Sequence, residues 1–337
     1  MRAAWYERPG PAAEVLVVGE VEKPAPGEGE VVVRMHASGV NPADIRRRAG
    51  WVPSGYTGVS KRVRPHTDGA GVVEELGHGV DPSWLGRKVW VWNAGGASFY
   101  GFPEFGVDVG TAAEYVALPV RHVAPLPDGV AFDVGACLGG PACTAHYMVF
   151  SDGDVDGATV LVQGGTGAVG ELSVQFAAAA GANVIAVVSS DEKGEMARAA
   201  GAAHVVNRSR DDVAEAVLAL SPEGVDRIIE VEFGLNVNTD ARLIKPNGKI
   251  ASYSSPSMPE PTLPYYALQR KGVLLRFVQA YILPADARSA AIEGINRWLA
   301  DNKLAPTIAA RYPLEEIAAA HQKLEGKNVA GNVIVTI

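Results

Sequence analysis

Val160-Leu161-Val162-Gln163-Gly164-Gly165-Thr166-Gly167-Ala168-Val169-Gly170 joins a short apolar run to a helical one through a glycine turn, and the rest of the chain is read outward from it. Gly165, Gly167 and Gly170 fit G-x-G-x-x-G. In that pattern the first glycine permits a tight turn, the second lets backbone approach a pyrophosphate, and the third lets helix and strand pack closely. Val169, Leu172, Phe176 and Ala180 follow at spacings of three and four, with Gly181 as a left-handed stop. The helix N-terminus thus aims its free N–H groups at the turn, where an anion is favoured. Three glycines alone are a weak signal in a chain with 38 of them. A strand before and a helix after make the stretch a dinucleotide-binding turn rather than an ordinary strand-to-helix connection.

Around this turn, from about Ala124, apolar runs and helical patterns alternate. Strands are expected at residues 159–163, 183–188, 204–207, 225–231, 249–253 and 273–278, with helices over 190–200 and 211–220 between them. That alternation is the βαβ signature of a doubly wound parallel sheet. Residues 1–123 read differently, as β-branched and aromatic strands at 30–37, 71–76, 87–92 and 113–118 broken by Gly, Pro and Asp turns, which suggests a small β-barrel. A short helix begins near Asn41, where Asn41 can cap and Pro42 suits the first helical position. Residues 50–67 and 93–110 read as loops, the latter carrying Phe99, Tyr100, Phe102 and Phe105. Two helical runs, 287–300 and 314–324, precede a last strand at 332–337, which is expected to return to the first module. The domains are therefore drawn as 1–123 with 281–337, and 124–280.

Composition narrows the function. The 337 residues allow about two domains, and 47% hydrophobic with 20% charged residues is ordinary for a globular enzyme. Thirty Lys and Arg against 38 Asp and Glu give a net charge of −8, which disfavours nucleic-acid or anionic-membrane partners. Cys137 and Cys143 make no disulfide framework. No signal peptide or spanning segment is read, and a cytoplasmic protein is expected.

Several motifs in order, Gly39-Val40-Asn41-Pro42-Ala43-Asp44, Pro65-His66-Thr67-Asp68-Gly69-Ala70-Gly71-Val72-Val73-Glu74, Gly110-Thr111-Ala112-Ala113-Glu114-Tyr115-Val116, the glycine turn and Gly201-Ala202-Ala203-His204-Val205-Val206-Asn207, give the chain a resemblance over nearly its whole length. It resembles the medium-chain dehydrogenase/reductase superfamily, in the zinc-free quinone oxidoreductase branch that includes zeta-crystallin. The resemblance implies an α/β fold, a GroES-like β-barrel catalytic domain plus a Rossmann doubly wound parallel sheet, with the cofactor in the cleft between them. Zinc-dependent relatives take thiolate and imidazole ligands from three positions that here hold Asn41, Thr67 and Gly140. Their proton-relaying hydroxyl falls at Ala43. No metal is therefore expected, and Cys137 and Cys143 read as buried small side chains. The same resemblance puts His66 and His78 near the cleft, although a lone histidine in a turn is first read as a surface or packing residue.

By the family pattern Asn41 and Thr144 flank the nicotinamide, and Phe277 and Val278 lie beside it. Gly165, Thr166, Gly167, Ala168, Val169 and Gly170 cradle the pyrophosphate, and Tyr253 and Asn332 complete the cofactor set, Asn332 standing where the family commonly has Lys. NAD enzymes place an acid at the end of the second Rossmann strand, and that slot here is Val188. Ser189, Ser190, Lys193 and Arg208 can instead hold a 2′-phosphate, so NADPH is the expected cofactor. Ser189 with Glu192 also makes a capping box. The phosphate reading requires Asp191 and Glu192 to point away along their helix.

A nicotinamide beside a metal-free pocket suits hydride delivery to a quinone or an α,β-unsaturated carbonyl, whose conjugation takes up charge. No acid stands out, Tyr56 and Tyr100 being loop candidates. A non-catalytic, crystallin-like NADPH-binding protein is the alternative, and a zinc alcohol dehydrogenase a weaker one. The resemblance also implies a homodimer through the strands at Val273 to Val278.

Overall fold

The computed structural model describes residues 1–51, 62–95, 109–326 and 329–337. Tyr56, Tyr100 and the three loop phenylalanines lie outside the described residues. Two compact units emerge, one of residues 1–140, 296–300 and 305–337, the other of residues 141–295 and 301–304. This division differs from the expected boundaries, since 124–140 belongs to the first unit and 281–295 with 301–304 to the second. The reason is visible in the first segment: Val123–Pro125 pairs with Lys88–Val91 and so extends the first unit's sheet.

The second unit is a six-stranded, all-parallel sheet. Its order is His204–Asn207, Asn183–Val188, Thr159–Gln163, Val225–Glu230, Ile244–Ser252 and Leu274–Phe277. In chain order this is 3-2-1-4-5-6, the doubly wound arrangement whose ligands sit at the carboxyl ends of the strands near the order reversal. The central strands read as unbroken apolar runs because both faces are covered. Val160, Leu161, Val162, Ile185, Ala186 and Ile228 are fully buried. Helices Ala168–Ala179, Asp191–Ala199 and Val213–Leu220 make the crossovers. The first ends as the sequence dictates, with Gly181 at φ +87°.

In the first unit an 11-residue strand, Glu30–Val40, organises a sheet of seven strands among the described residues. One edge pairs with Asp68–Leu76. The other is shared: Glu30 to Arg34 pair with Tyr115–Pro119, and Ala37 to Val40 with the last strand, Asn332–Thr336. The expected return of the C-terminal strand is thus observed, and Ile308–Pro313 adds outside it in parallel. Val31, Val33, Val73, Val89, Val116 and Leu118 form the core beneath. Among the described residues no helix is long and apolar enough to cross a membrane.

Candidate functional site

The turn after Thr159–Gln163 is built by glycines with separable roles. The left-handed residue of the turn is Gly164, at φ +69°, one position before the motif's first glycine. Gly165 is needed for a different reason, because a Cβ there would stand 2.8 Å from the Cβ of Ala186 on the neighbouring strand. Gly170 sits one helical turn in, where a Cβ would collide with the carbonyl group of Gly164. Gly167 is the contrary case. It caps the helix at φ −70°, ψ 162°, and a Cβ there would meet nothing nearer than the Gly164 carbonyl oxygen at 3.6 Å. Packing does not demand a glycine at 167, whereas a ligand pressed against the backbone would. The first turn of Ala168–Ala179 supplies the N–H groups for an anion.

At the carboxyl end of Asn183–Val188 the serines are divided. Ser190 is the helix cap, its Oγ accepting from Lys193 N at 3.3 Å. This corrects the expectation of a box made by Ser189 and Glu192. Ser189 Oγ instead accepts from Lys193 Nζ at 3.3 Å. Its carbonyl accepts from Ser209 Oγ at 2.9 Å, and Arg208 N donates to Val188 O at 3.0 Å. Ser189, Lys193 and Arg208 are therefore gathered at the ends of two adjacent strands, around a Val188 that carries no charge. Asp191 faces Asn207 and Arg210.

Beneath the carboxyl ends of the first and fourth strands lies a pair of buried acids that the sequence reading missed. Glu230 accepts from Asn236 Nδ2 at 3.1 Å and from Glu232 N, while Asp240 Oδ1 accepts from Gln163 Nε2 at 3.5 Å. Burial raises both carboxyls, that of Asp240 well above the ordinary range, and the neighbouring Glu230 charge raises Asp240 further. The pair thus favours holding a proton, with Asp240 the more strongly raised of the two.

In the first unit, the three positions singled out for their lack of metal ligands close on one carboxylate. Asn41 Nδ2 donates to Asp68 Oδ2 at 2.6 Å, Gly140 N to the same oxygen at 2.8 Å, and Thr67 Oγ1 to Asp68 Oδ1 at 3.3 Å. Asp68 is fully buried, and burial pushes its carboxyl up to about 6 despite these donors. A Cβ at Gly139 would fall on Asp68 Oδ1, so the backbone itself walls the corner. The signal for Asp68 lay in the Thr67-Asp68-Gly69-Ala70-Gly71 run, as an acid that opens a strand and is followed by five small or apolar residues. The helix Pro42–Arg48 starts as expected, but Asp44 makes its box by accepting from Asn41 N at 2.8 Å, since the Asn41 amide is turned to Asp68.

Behind this corner runs a buried hydrogen-bond chain. Thr111 Oγ1 donates to the Asp68 carbonyl at 2.6 Å, so the 2.7 Å contact between Ser38 and Thr111 takes its proton from Ser38. Ser38 then accepts from His66 Nδ1 at 2.8 Å, and His66 Nε2 accepts from His321 Nε2 at 2.9 Å. Burial pushes His66 well below its usual range and His321 down to about 3, so both rings are neutral. His66 is a packing residue and His78 is exposed, in line with the first reading of each.

These two arrangements can be set beside known proteins. Residues 168–291 match the family described as zinc-binding dehydrogenase, and residues 27–128 match the alcohol dehydrogenase GroES-like domain. A 2-haloacrylate reductase from Burkholderia is 29% identical over 99% of this chain and 98% of its own length. A quinone oxidoreductase from Pongo abelii is 26% identical, covering 98% and 96%. Two solved structures cover all of both chains. One is described as an NAD-dependent alcohol dehydrogenase, with TM-score 0.85 and 28% identity. The other, a mycobacterial protein complexed with NADPH, has TM-score 0.86 and 26% identity.

The chain belongs to the medium-chain dehydrogenase/reductase superfamily. Its place is in the quinone oxidoreductase branch, with a GroES-like first unit and a Rossmann second unit, and the chain is an oxidoreductase. Zinc, which the description of one matching family implies, does not fit the residues present. Its three usual positions offer an amide committed to Asp68, a hydroxyl and a glycine. Among the described residues no group of three His, Cys, Asp or Glu is placed to hold a metal ion. Cys137 and Cys143 are buried. A dinucleotide does fit, since Gly167 leaves the space a pyrophosphate needs.

The other expected cofactor residues are dispersed in environment. Thr144 is buried near the start of Cys143–Phe150, and Tyr253 is half-buried just past Ile244–Ser252. Val278 is buried, its N–H donating to Ser252 O at 2.8 Å. Phe277 is 67% exposed at the end of the sheet's edge strand. Asn332 donates its amide to Thr307 O at 3.1 Å.

Proposed function

We propose that this protein is a zinc-independent reductase that uses NADPH to deliver hydride to a quinone or to the β-carbon of an α,β-unsaturated carbonyl. The observation that carries the reading is the closure of Asn41, Thr67 and Gly140 onto Asp68, which leaves the catalytic unit without a Lewis acid. Ala43 also lacks the hydroxyl that alcohol oxidation would need for proton exit. Acceptors whose own conjugation absorbs charge need neither. The relatives named quinone oxidoreductase and 2-haloacrylate reductase support this class of acceptor, and the NADPH complex supports the cofactor.

Bound NADPH supplies the hydride, and a proton from water or a nearby donor completes the reduction. The backbone of Gly165, Thr166, Gly167, Ala168, Val169 and Gly170 is proposed to hold the pyrophosphate. Ser189, Ser190, Lys193 and Arg208 are proposed to hold the 2′-phosphate, and Asn41, Thr144, Tyr253, Phe277 and Val278 to serve the nicotinamide end. We also propose a homodimer through the edge strand Leu274–Phe277, whose Leu274 and Phe277 are 42% and 67% exposed. A monomeric mass at micromolar concentration in sedimentation would refute that pairing.

The test of activity is a chelator-treated sample assayed for NADPH oxidation with a panel of quinones and enones. Turnover that survives chelation is expected. Tight NADPH binding with no turnover would favour the non-catalytic alternative, and stoichiometric zinc in the active protein would revive the alcohol dehydrogenase.

A further inference from the structure

Asp191 follows Ser189 and Ser190 directly and opens the helix whose Lys193 reaches back to Ser189. A carboxylate free to swing over that seat would repel a 2′-phosphate and attract ribose hydroxyls, the behaviour of an NAD site. It is not free to do so here. Asn207 Nδ2 donates to Asp191 Oδ1 at 2.9 Å, and Arg210 Nη1 reaches both carboxylate oxygens at 3.2 and 3.4 Å. The two donors are themselves braced. Asn207 Oδ1 accepts from Ser209 N at 3.1 Å, Asn207 N donates to Asp211 Oδ2 at 3.1 Å, and Arg210 Nε donates to Asp211 Oδ1 at 3.0 Å. Asp191 accordingly lines a cavity of about 200 Å³ with Gly194, Arg198, Val205, Asn207 and Arg210. Ser189, Lys193 and Arg208 do not line that cavity.

We propose that Arg210, with Asn207, is a specificity-determining pair that makes the site accept NADPH by drawing the Asp191 carboxylate to the cavity they line and neutralising it. The inference rests on the reading of Ser189, Lys193 and Arg208 as the phosphate seat. Arg210 and Asp191 are 64% and 77% exposed, so their pairing adds little to stability and their replacement leaves the fold intact. What changes is the charge beside the phosphate. One uncompensated carboxylate within about a Debye length of a doubly charged phosphate weakens binding roughly three- to five-fold in water.

The experiment is fluorescence titration of the full-length protein with NADPH and with NADH, for wild type, Arg210→Gln, Asp191→Asn, the double variant and Lys193→Ala. Arg210→Gln is expected to weaken NADPH about three- to five-fold and to leave NADH unchanged or tighter. In the Asp191→Asn background the same substitution is expected to do nothing, because Arg210 acts through Asp191. An equal loss of NADPH affinity in both backgrounds would mean that Arg210 touches the phosphate itself and would overturn the proposal. So would an Arg210→Gln variant with an unaltered NADPH to NADH ratio while Lys193→Ala lowers that ratio. If Lys193→Ala leaves the ratio unchanged, the seat is misplaced and the inference falls with it, by a distinguishable result.

Discussion

Gly170→Ala and Gly167→Ala should separate the two demands made on the glycine turn. At 170 the new Cβ would stand 2.9 Å from the carbonyl carbon of Gly164, closer still to its oxygen, and 3.3 Å from Gly165 Cα. All three are backbone atoms with no rotamer to yield. The helix must back away from the strand, an overpacking cost of about 3 kcal/mol, offset by about 1 kcal/mol of better helix propensity. The net of about 2 kcal/mol lowers Tm by about 4–8 °C for a unit of this size. At 167 the backbone angles suit alanine and the space is open, so stability should change by less than about 0.5 kcal/mol. NADPH affinity should nevertheless fall about ten-fold or more, since the methyl group occupies the approach of the pyrophosphate. Thermal unfolding without nucleotide, followed by NADPH titration of the same samples, reads both effects. A Gly167→Ala protein that binds NADPH as wild type does would refute the cradle, and a Gly170→Ala protein of wild-type Tm would refute the close approach.

Three further outcomes are expected. Burial pushes Asp44 up to about 7, against about 3.9 in the unfolded chain, so its contribution to stability is complete below pH 4 and is lost as pH rises through 7. The linkage ceiling is about 4 kcal/mol, and Asp44→Asn should remove this alkaline-side loss in urea unfolding measured from pH 4 to 8. His321, pushed down to about 3 by burial, has the opposite sign: it favours the fold above about pH 6.5 and costs stability as pH falls toward 3. The two contributions oppose one another between about pH 4 and 6.5, so His321→Gln should steepen the fall in stability with rising pH across that window. Asp240→Asn should be neutral or stabilising at pH 8, because an amide can donate to Glu230 as the protonated acid does. A loss above about 2 kcal/mol would show that Asp240 is ionised.

The alternation of strands and helices after residue 124 was legible because parallel strands covered on both faces leave unbroken apolar runs, and three of the expected strands match to the residue. The first unit was less so. Arg2–Trp5, Val17–Glu20 and Ile308–Pro313 are short or half-exposed and carry no strong period. At the site, local pattern identified the turn but did not mark Gly164 as its left-handed residue, since Gly164 and Gly165 differ only in what surrounds them. Ser189 and Ser190 were confused as caps for the same reason. Asp240 and the His66 to His321 contact were invisible because each joins residues from distant parts of the chain, and nothing in a one-dimensional pattern marks a carboxyl group that tertiary burial will keep protonated.

The strand Asn332–Thr336 fills the half of Glu30–Val40 that Tyr115–Pro119 leaves unpaired. During synthesis the first 140 residues therefore emerge with a gap in the middle of their sheet, and about 190 further residues must be made before it can be filled. The second unit, nearly continuous in sequence, can fold in the interval. Chains truncated after residue 304 should accordingly present a protease-resistant second unit attached to a digestible N-terminal arm, because the first unit's sheet is completed only by Asn332–Thr336.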